Sequence, residues 1–370
     1  MADFVLTTHT MWAEAPRIRH QLARLLRDAG HRVLFIERAG QFGREGSVRP
    51  VEVEPSIWTG RCTRLLHHQL RVLPVMHHAD AAFVGPQLAR LAGEWAGGND
   101  FTVMNFMHDG WYLRKHLPGR RILTIIHDDF EAQSRLPFKG HITWCLRRTC
   151  GASDRVFAVS VPLRERLSRW SEAELFLPWA TTPYEPPLAG SSARNVLLFW
   201  GYVDNALDVP LISRVARARP DLRIDLVGPT QTRGARERIV SELSGQPNLR
   251  ILPPTGLGDL DLRSVLCGFL PYRRTPAIDA VTLANKSLQL LAKGLPLLIA
   301  GMPHFLQRPF IVRGDGPGGF DPAISAVRDG FDSWQPAIRR LLAEESADAR
   351  LAQLGVERVD RPSTNPSPSR

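Results

Sequence analysis

The sequence predicts an α/β protein built from two parallel-sheet domains, and three observations lead to that class. Short apolar runs rich in β-formers alternate with helix-like segments from end to end, the pattern of parallel strands joined by crossover helices. The alternation is interrupted once, at 183–192, by a stretch rich in Pro, Gly and Ser without periodicity, which reads as a linker. At 370 residues the chain is also longer than one hydrophobic core organises, given about 150 residues per domain. The expected organisation is a domain over 1–187, a second over 188–345, and a helix end with a disordered tail over 346–370.

Taken in order, the first-half strand candidates are residues 4–8, 32–37, 101–106, 122–126 and 156–160. Between the first two lies a helix over 16–29, opened by Pro16 in its first turn and closed by Gly30. The second half repeats the alternation with strands at 195–201, 222–228, 249–252, 264–271 and 295–300, an independent second sheet. A helical pattern follows Asp332 and runs to about Val356. Residues 361–370 are too rich in Pro, Ser and Arg to pack a core. No repeat appears at solenoid spacing.

Composition narrows the function classes. Hydrophobic residues make up 44% of the chain and charged residues 23%, and no apolar run approaches the roughly 20 residues that span a bilayer. Met1-Ala2-Asp3-Phe4-Val5-Leu6 enters a strand-like run at once, with neither a basic leader nor a cleavage site, so a cytoplasmic location is expected. Cys62, Cys145, Cys150 and Cys267 are too few and too scattered for a disulfide framework or a zinc site and read as buried small residues. The net charge of +10 divides evenly, residues 1–185 holding 24 basic and 19 acidic side chains. So diffuse a charge, with no ribbon of stacking aromatics, argues against nucleic acid; it suits phosphate-bearing substrates, anionic lipid head groups or plain solubility.

The segment richest in chemistry is Phe269-Leu270-Pro271-Tyr272-Arg273-Arg274 followed by Asn285-Lys286-Ser287-Leu288-Gln289-Leu290-Leu291-Ala292-Lys293-Gly294-Leu295-Pro296. A strand ends in a loop, a helix follows, and another strand begins. In an open parallel sheet the ligand crevice lies beyond the strands' carboxyl ends, so this loop and the helix's first turn should face it. A helix N-terminus offers free N–H groups and partial positive charge, Lys286 adds a full charge, and together they suit a diphosphate. Gln289 lies one turn on, on the same face, where its amide reaches a ribose or a base. A plain amphipathic crossover helix with solvated Lys and Gln would read the same way.

This run resembles the donor-site motif of GT-B glycosyltransferases of the family 4 kind that build capsule, teichuronic acid and exopolysaccharide. Asn285, Lys286, Leu291, Ala292, Gly294 and Pro296 match it, while Gln289 stands where most members carry a ribose-binding glutamate. The Lys-x-x-Gln variant resembles membrane-associated glucuronosyltransferases that extend lipid-linked oligosaccharides. Two further stretches extend the resemblance. Val196-Leu197-Leu198-Phe199-Trp200-Gly201-Tyr202 with Asp208, then Leu222 to Pro229, is similar to the opening of the donor domain. Trp12, Pro16, Arg17, His20, Gly30, His31 and Glu37, with Ile126-His127-Asp128-Asp129-Phe130 and Ala152 to Ser160, are similar to segments of the acceptor domain. The resemblance implies two Rossmann-like domains facing a central cleft, a nucleotide-sugar donor (a UDP-sugar foremost), and a saccharide or lipid-linked saccharide acceptor.

The chemistry then assigns roles. The leaving diphosphate gains negative charge and the acceptor hydroxyl must lose a proton. Lys286 meets the first need, with Gly201, Tyr202, Tyr272, Asn285 and Gln289 as the other donor-binding candidates; a glycine ending the first strand would let backbone N–H groups approach phosphate. For the second, carboxylates at strand ends are the natural choice: Asp128 foremost, then Asp129, with Asp109 behind. Each could instead be a helix N-cap or an ion-paired loop carboxylate. His9, Trp12, Arg17 and Asp109 are the acceptor-side candidates. The resemblance implies inversion by single displacement with an aspartate base. Asp259-Leu260-Asp261 has the spacing of a metal-binding triplet but lies in a helix-like region, so no metal and no cofactor is expected. Residues 57–72, with Trp58, Leu65, Leu66 and five arginine or histidine neighbours, suit contact with an anionic membrane or, more readily, a core-packing helix. A GT-B nucleotide-sugar epimerase and a non-catalytic nucleotide-sugar-binding protein remain alternatives.

Overall fold

A computed structural model describes residues 1–359 apart from 15, 67–70, 135–138, 188–193, 231–233, 317–318 and the side chain of 236. The chain forms two compact units, Met1–Phe176 joined by the segment that begins at Leu351, and Leu177–Arg350.

The first unit is organised by an eight-stranded sheet. Its strands are β1 (Asp3–Thr7), β2 (Arg32–Ile36), β4 (Val48–Glu54), β5 (Ile57–Arg61), β7 (Phe101–Asn105), β8 (Ile122–Ile126), β9 (Arg155–Ala158) and β10 (Ala173–Leu175). They lie in the order β10-β9-β8-β7-β1-β2-β5-β4, and only the β4–β5 pair is antiparallel. A small parallel pair, β3 (Gly40–Gln41) with β6 (Thr63–Arg64), stands apart. β1 and β8 are buried along their whole length because crossover helices cover both faces, which is why they read as continuous apolar runs. The helix Ile18–Asp28 turns Leu22, Ala23, Leu25 and Leu26 inward, and Gly30 follows it at φ 88°. A Cβ at Gly30 would press on Val359, whose N–H donates to the carbonyl of Ala29 at 2.8 Å.

The second unit has a six-stranded, wholly parallel sheet in the order β13-β12-β11-β14-β15-β16. The strands are β11 (Val196–Trp200), β12 (Arg223–Val227), β13 (Leu249–Leu252), β14 (Val265–Pro271), β15 (Leu297–Ala300) and β16 (Ile311–Arg313). β14 and β15 are buried at every residue. The helix Asn285–Ala292 joins these two strands and is seated by Leu288, Leu290 and Leu291.

Three sequence expectations change. Residues 57–72 do not form a helix: Ile57–Arg61 pairs with β2 and β4, and Thr63–Arg64 pairs with Gly40–Gln41, while 67–70 lie outside the described residues. In this strand Ile57, Thr59 and Gly60 are buried while Trp58 and Arg61 are half-buried. The long helix after Asp332 is two helices, Gln335–Glu344 and Ala347–Leu354, parted at Glu345 and Ser346. Asp259 ends a short 3₁₀ turn, Leu257–Asp259, and Asp261 follows it in an irregular stretch. The stretch read as a linker runs into residues 188–193, outside the described ones. Its earlier part is tied to the second unit by the Glu185 N–H on the Ala292 carbonyl at 2.6 Å and Tyr184 on Gln335 at 2.8 Å. The expected disordered tail at 361–370 also lies outside the described residues.

Candidate active site

Each sheet reverses its winding once. In the first unit the chain leaves β1 toward β2 on one side and later builds β7, β8, β9 and β10 outward on the other; in the second, β11 leads to β12 and β13, and β14 leads to β15 and β16. Crossover helices diverge at such a point and open a crevice at the strands' carboxyl ends. The polar side chains collect there in both units.

In the second unit the crevice lies between the ends of β11 and β14. Gly201 follows β11 and Tyr272 follows β14, and Lys286, in the first turn of the helix Asn285–Ala292, reaches both. Its Nζ donates to the Tyr272 hydroxyl at 2.5 Å and sits over the Phe199 and Tyr272 rings at 4.9 and 5.3 Å. No carboxylate pairs with this ammonium among the described residues, so its charge is met by an aromatic cradle alone. Gly201, at φ 151°, has its N–H spent on the Val227 carbonyl at 2.9 Å. What the missing Cβ provides is room for Lys286, whose ammonium it would strike. Gly228, at φ 148°, makes room for the Gly201 carbonyl in turn. Glycine, glycine and lysine thus stack at the crevice.

The helix opens without a side-chain cap at Ala284; the Ser287 N–H donates to the Ala284 carbonyl at 2.9 Å, which leaves the two N–H groups before it available. Asn285 Oδ1 and Ser287 Oγ are buried there without a partner among the described residues. Gln289, one turn beyond Lys286, and Tyr202, on the loop after β11, are half-buried. The sequence-predicted donor set is therefore gathered at one sheet edge, around an unpaired cation.

In the first unit the crevice lies between the ends of β1 and β7. His9 Nε2 and Asp109 Oδ1 meet there at 2.8 Å. Asp109 is buried and accepts from Arg64 at 2.9 Å and Arg71 at 2.5 Å; both arginines also approach Asp80, at 3.3 and 3.5 Å. Burial would raise the Asp109 pKa, but Arg64, His9 and Arg71 together hold it well below the usual carboxylate range. Burial lowers the His9 pKa against the pull of Asp109, and lowers that of His108 to about 3. His9, His108 and Asp109 are close enough to share a metal ion. With both Asp109 oxygens already hydrogen-bonded, one of them to two guanidinium groups, the cluster is better described as a fixed histidine than as a cation site.

Asp128 and Asp129 follow β8 and diverge. Asp128, with its side chain 37% exposed, lies 3.3 Å from His127 Nε2, and burial raises its pKa even though Gln133, Arg19 and Arg17 pull it down. Asp129 caps the short helix Phe130–Gln133 through the Ala132 N–H at 2.9 Å and pairs with Arg166 at 3.0 Å. Its oxygens are committed to the fold. Trp12 packs edge-on to Phe35 and beneath Arg24, and its backbone N–H donates to the Glu37 carboxylate at 2.7 Å, so it shapes the loop after β1. Arg17 is half-exposed, 3.7 Å from Glu14.

Sequence reasoning missed Arg64, Arg71 and Asp80, which fix Asp109, because they come from three different places: a short strand, an irregular stretch and the helix Pro74–Ala96. It also passed over Arg19, although two arginines in a helix's first turn, where carboxylates are favoured, are a legible anomaly. In the second unit Asp261 is exposed and paired with Arg263 at 2.8 Å.

Two Rossmann-like units in one chain, each with its polar cluster at its own switch point, give the chain the GT-B fold. Residues 15–174 match the model of Glycosyltransferase Family 4. Among solved structures the chain is similar to sucrose-phosphate synthase from Thermosynechococcus elongatus, at 13% identity and TM-score 0.63 over 96% of this chain and 98% of that one. It is similar to the α,α-trehalose-phosphate synthase (UDP-forming) of Burkholderia xenovorans in complex with glucose-6-phosphate, at 12% identity and TM-score 0.63 over 96% and 99%. The apo form of the lipopolysaccharide outer core galactosyltransferase WaaB is similar at 10% identity and TM-score 0.62 over 95% and 98%. At these identities the likeness is one of fold. No curated protein sequence matches the chain.

Proposed function

We propose that the protein transfers a sugar from a nucleoside-diphosphate donor, a UDP-sugar foremost, to a saccharide or lipid-linked saccharide acceptor in bacterial surface or exopolysaccharide synthesis, without a metal ion. The observation that carries the reading is the unpaired Lys286 ammonium held at the second unit's switch point by Tyr272 and Phe199. A fixed cation beside open helix N–H groups stabilises the charge that builds on a departing diphosphate. The UDP assignment is supported by the UDP-forming activity stated for the Burkholderia synthase.

In this mechanism Asp128 takes the proton of the acceptor hydroxyl. Burial makes it a stronger base than an ordinary carboxylate, whereas Asp129 is occupied by Arg166 and its helix. His9, oriented by Asp109, holds the acceptor. Single displacement with inversion follows from such a base.

Contact with an anionic membrane is supported at one place in the first unit. Leu73 and Val75 are 50% and 68% exposed at the start of the helix Pro74–Ala96. One turn on, His78 meets Trp111 and Trp144 edge-on, and Arg148 lies over both rings. Exposed aliphatics, tryptophans and arginine together suit a lipid head-group layer. No helix among the described residues is long and apolar enough to cross a membrane.

The test is thermal-shift titration with UDP, GDP, dTDP and their sugars, with and without Mg²⁺. A shift that selects one nucleotide, persists without Mg²⁺ and vanishes in Lys286→Ala is expected. If no nucleotide stabilises the wild-type chain, the donor assignment is wrong.

A further inference from the structure

Arg19 is a large buried charge near the first unit's crevice that the proposed reaction does not use. It lies in the first turn of the helix Ile18–Asp28, whose N-terminus opens at the carboxyl end of β1. That turn contains no acidic residue and is preceded by Arg17, so positive side chains crowd the positive pole of the helix. Arg19 is 5% exposed, and its Nε is buried without a partner. The hydrogen bond it makes among the described residues runs from Nη1 to His127 Nε2, at the end of β8. His127 is kept neutral by burial and by Arg19 itself, so it supplies a lone pair but no countercharge. Asp128 and Glu14 are felt at a distance without forming an ion pair, and burial outweighs them, lowering Arg19 to about 10.

A guanidinium does not shed its proton at neutral pH, and a buried one without a carboxylate is costly unless an anion meets it. The Arg64 and Arg71 pair in the same unit shows the usual solution, two carboxylates against two guanidiniums. Arg19 has no such partner among the described residues. Three features converge on the same spot: an uncompensated buried guanidinium, an acid-free helix N-terminus, and a second arginine at its cap.

We propose that Arg19 anchors an anion-binding subsite in the first unit, which receives a phosphate or carboxylate group carried by the acceptor. This deepens the reading of the first unit as the acceptor side and rests on it. The subsite selects charged over neutral sugars, because a neutral hydroxyl would leave the guanidinium as uncompensated as before.

The experiment uses the full chain with Lys286→Ala, so that a phosphate group has no donor site to enter. Glucose 6-phosphate, glucuronate, inorganic phosphate and glucose are titrated by calorimetry and thermal shift. At least one anion should bind while glucose does not, with affinity falling tenfold or more in Arg19→Gln and partly restored in Arg19→Lys. The phosphate and carboxylate arms tell which group the subsite takes. Should Arg19→Gln fail to fold, phenylglyoxal labelling of Arg19, read by mass spectrometry, must be slowed by the same anion. Equal binding of glucose, no binding by any anion, or unchanged affinity in both variants overturns the subsite. Nucleotide binding by the wild-type chain separates the two ideas: if UDP binds and no anion reports on Arg19, the subsite falls while the donor assignment stands.

Discussion

Asp128 and Asp129 are adjacent carboxylates with opposite fates, decided by what each touches. Asp129 accepts from the helix it caps and pairs with Arg166, so its oxygens are committed to the fold. Asp128 has its pKa raised by burial. Replacing Asp128 with Asn should lower kcat by about 10²- to 10⁴-fold with nucleotide affinity unchanged. In the wild type the acidic limb of kcat/KM should lie above the ordinary carboxylate value of about 3.9, since the base form is lost as pH falls through a raised pKa. A limb at or below that value would assign the base elsewhere. Gly201 makes a second case at this scale. Gly201→Ala adds one carbon where Lys286 Nζ sits and strains a backbone at φ 151°, so nucleotide affinity should drop as steeply as in Lys286→Ala. Unchanged nucleotide binding in a folded Gly201→Ala chain would show that Lys286 works from another position.

Elements carried most of what the sequence made legible. Strands buried on both faces announce themselves as apolar runs, so β1, β8, β14 and β15 were readable, as was the helix that holds Lys286. Where one face is open the signal weakens, and residues 57–64 were misjudged because Trp58 and Arg61 read equally well on a helix. The site was legible where one segment carries it, as in Tyr272 to Gln289. The arginines behind Asp109 come from sequence positions 38 and 45 residues away and were not. Also invisible was the return of the chain: after Leu351 the segment rejoins the first unit, through Gln353 on the Leu175 carbonyl, Arg155 on the Gln353 carbonyl, and His31 beside the Glu357 carbonyl at 2.8 Å. A chain cut after Arg350 loses those bonds and the buried Leu351 and Leu354, which are 2% and 0% exposed. Its first unit should melt at least several degrees lower, with nucleotide binding by the second unit retained, in calorimetry of the cut and full chains.

Across the whole molecule the two units differ in their response to acid. His304 is the one histidine of the second unit, whereas His9, His20, His31, His77, His108, His116 and His127 of the first all have pKa values lowered by burial. A histidine kept neutral by the fold takes up a proton on unfolding once the pH falls below about 6.5, so the unfolded state gains protons there and stability falls. Asp109 acts later: its stabilisation is present above the ordinary carboxylate pKa and is lost as pH falls toward its depressed value. Between pH 7 and 5 the melting of the first unit should therefore move down well ahead of that of the second. Two calorimetric transitions that shift in parallel would contradict this.

The return of the chain at Leu351 also sets an order of events at the ribosome. Synthesis runs from the N-terminus, yet the half that begins first is finished last: the second unit is complete once Arg350 has emerged, while the first still lacks its closing segment. A nascent chain stalled at that length should show a protease-resistant second unit alongside a first unit whose His31 and Gly30 edge is still open.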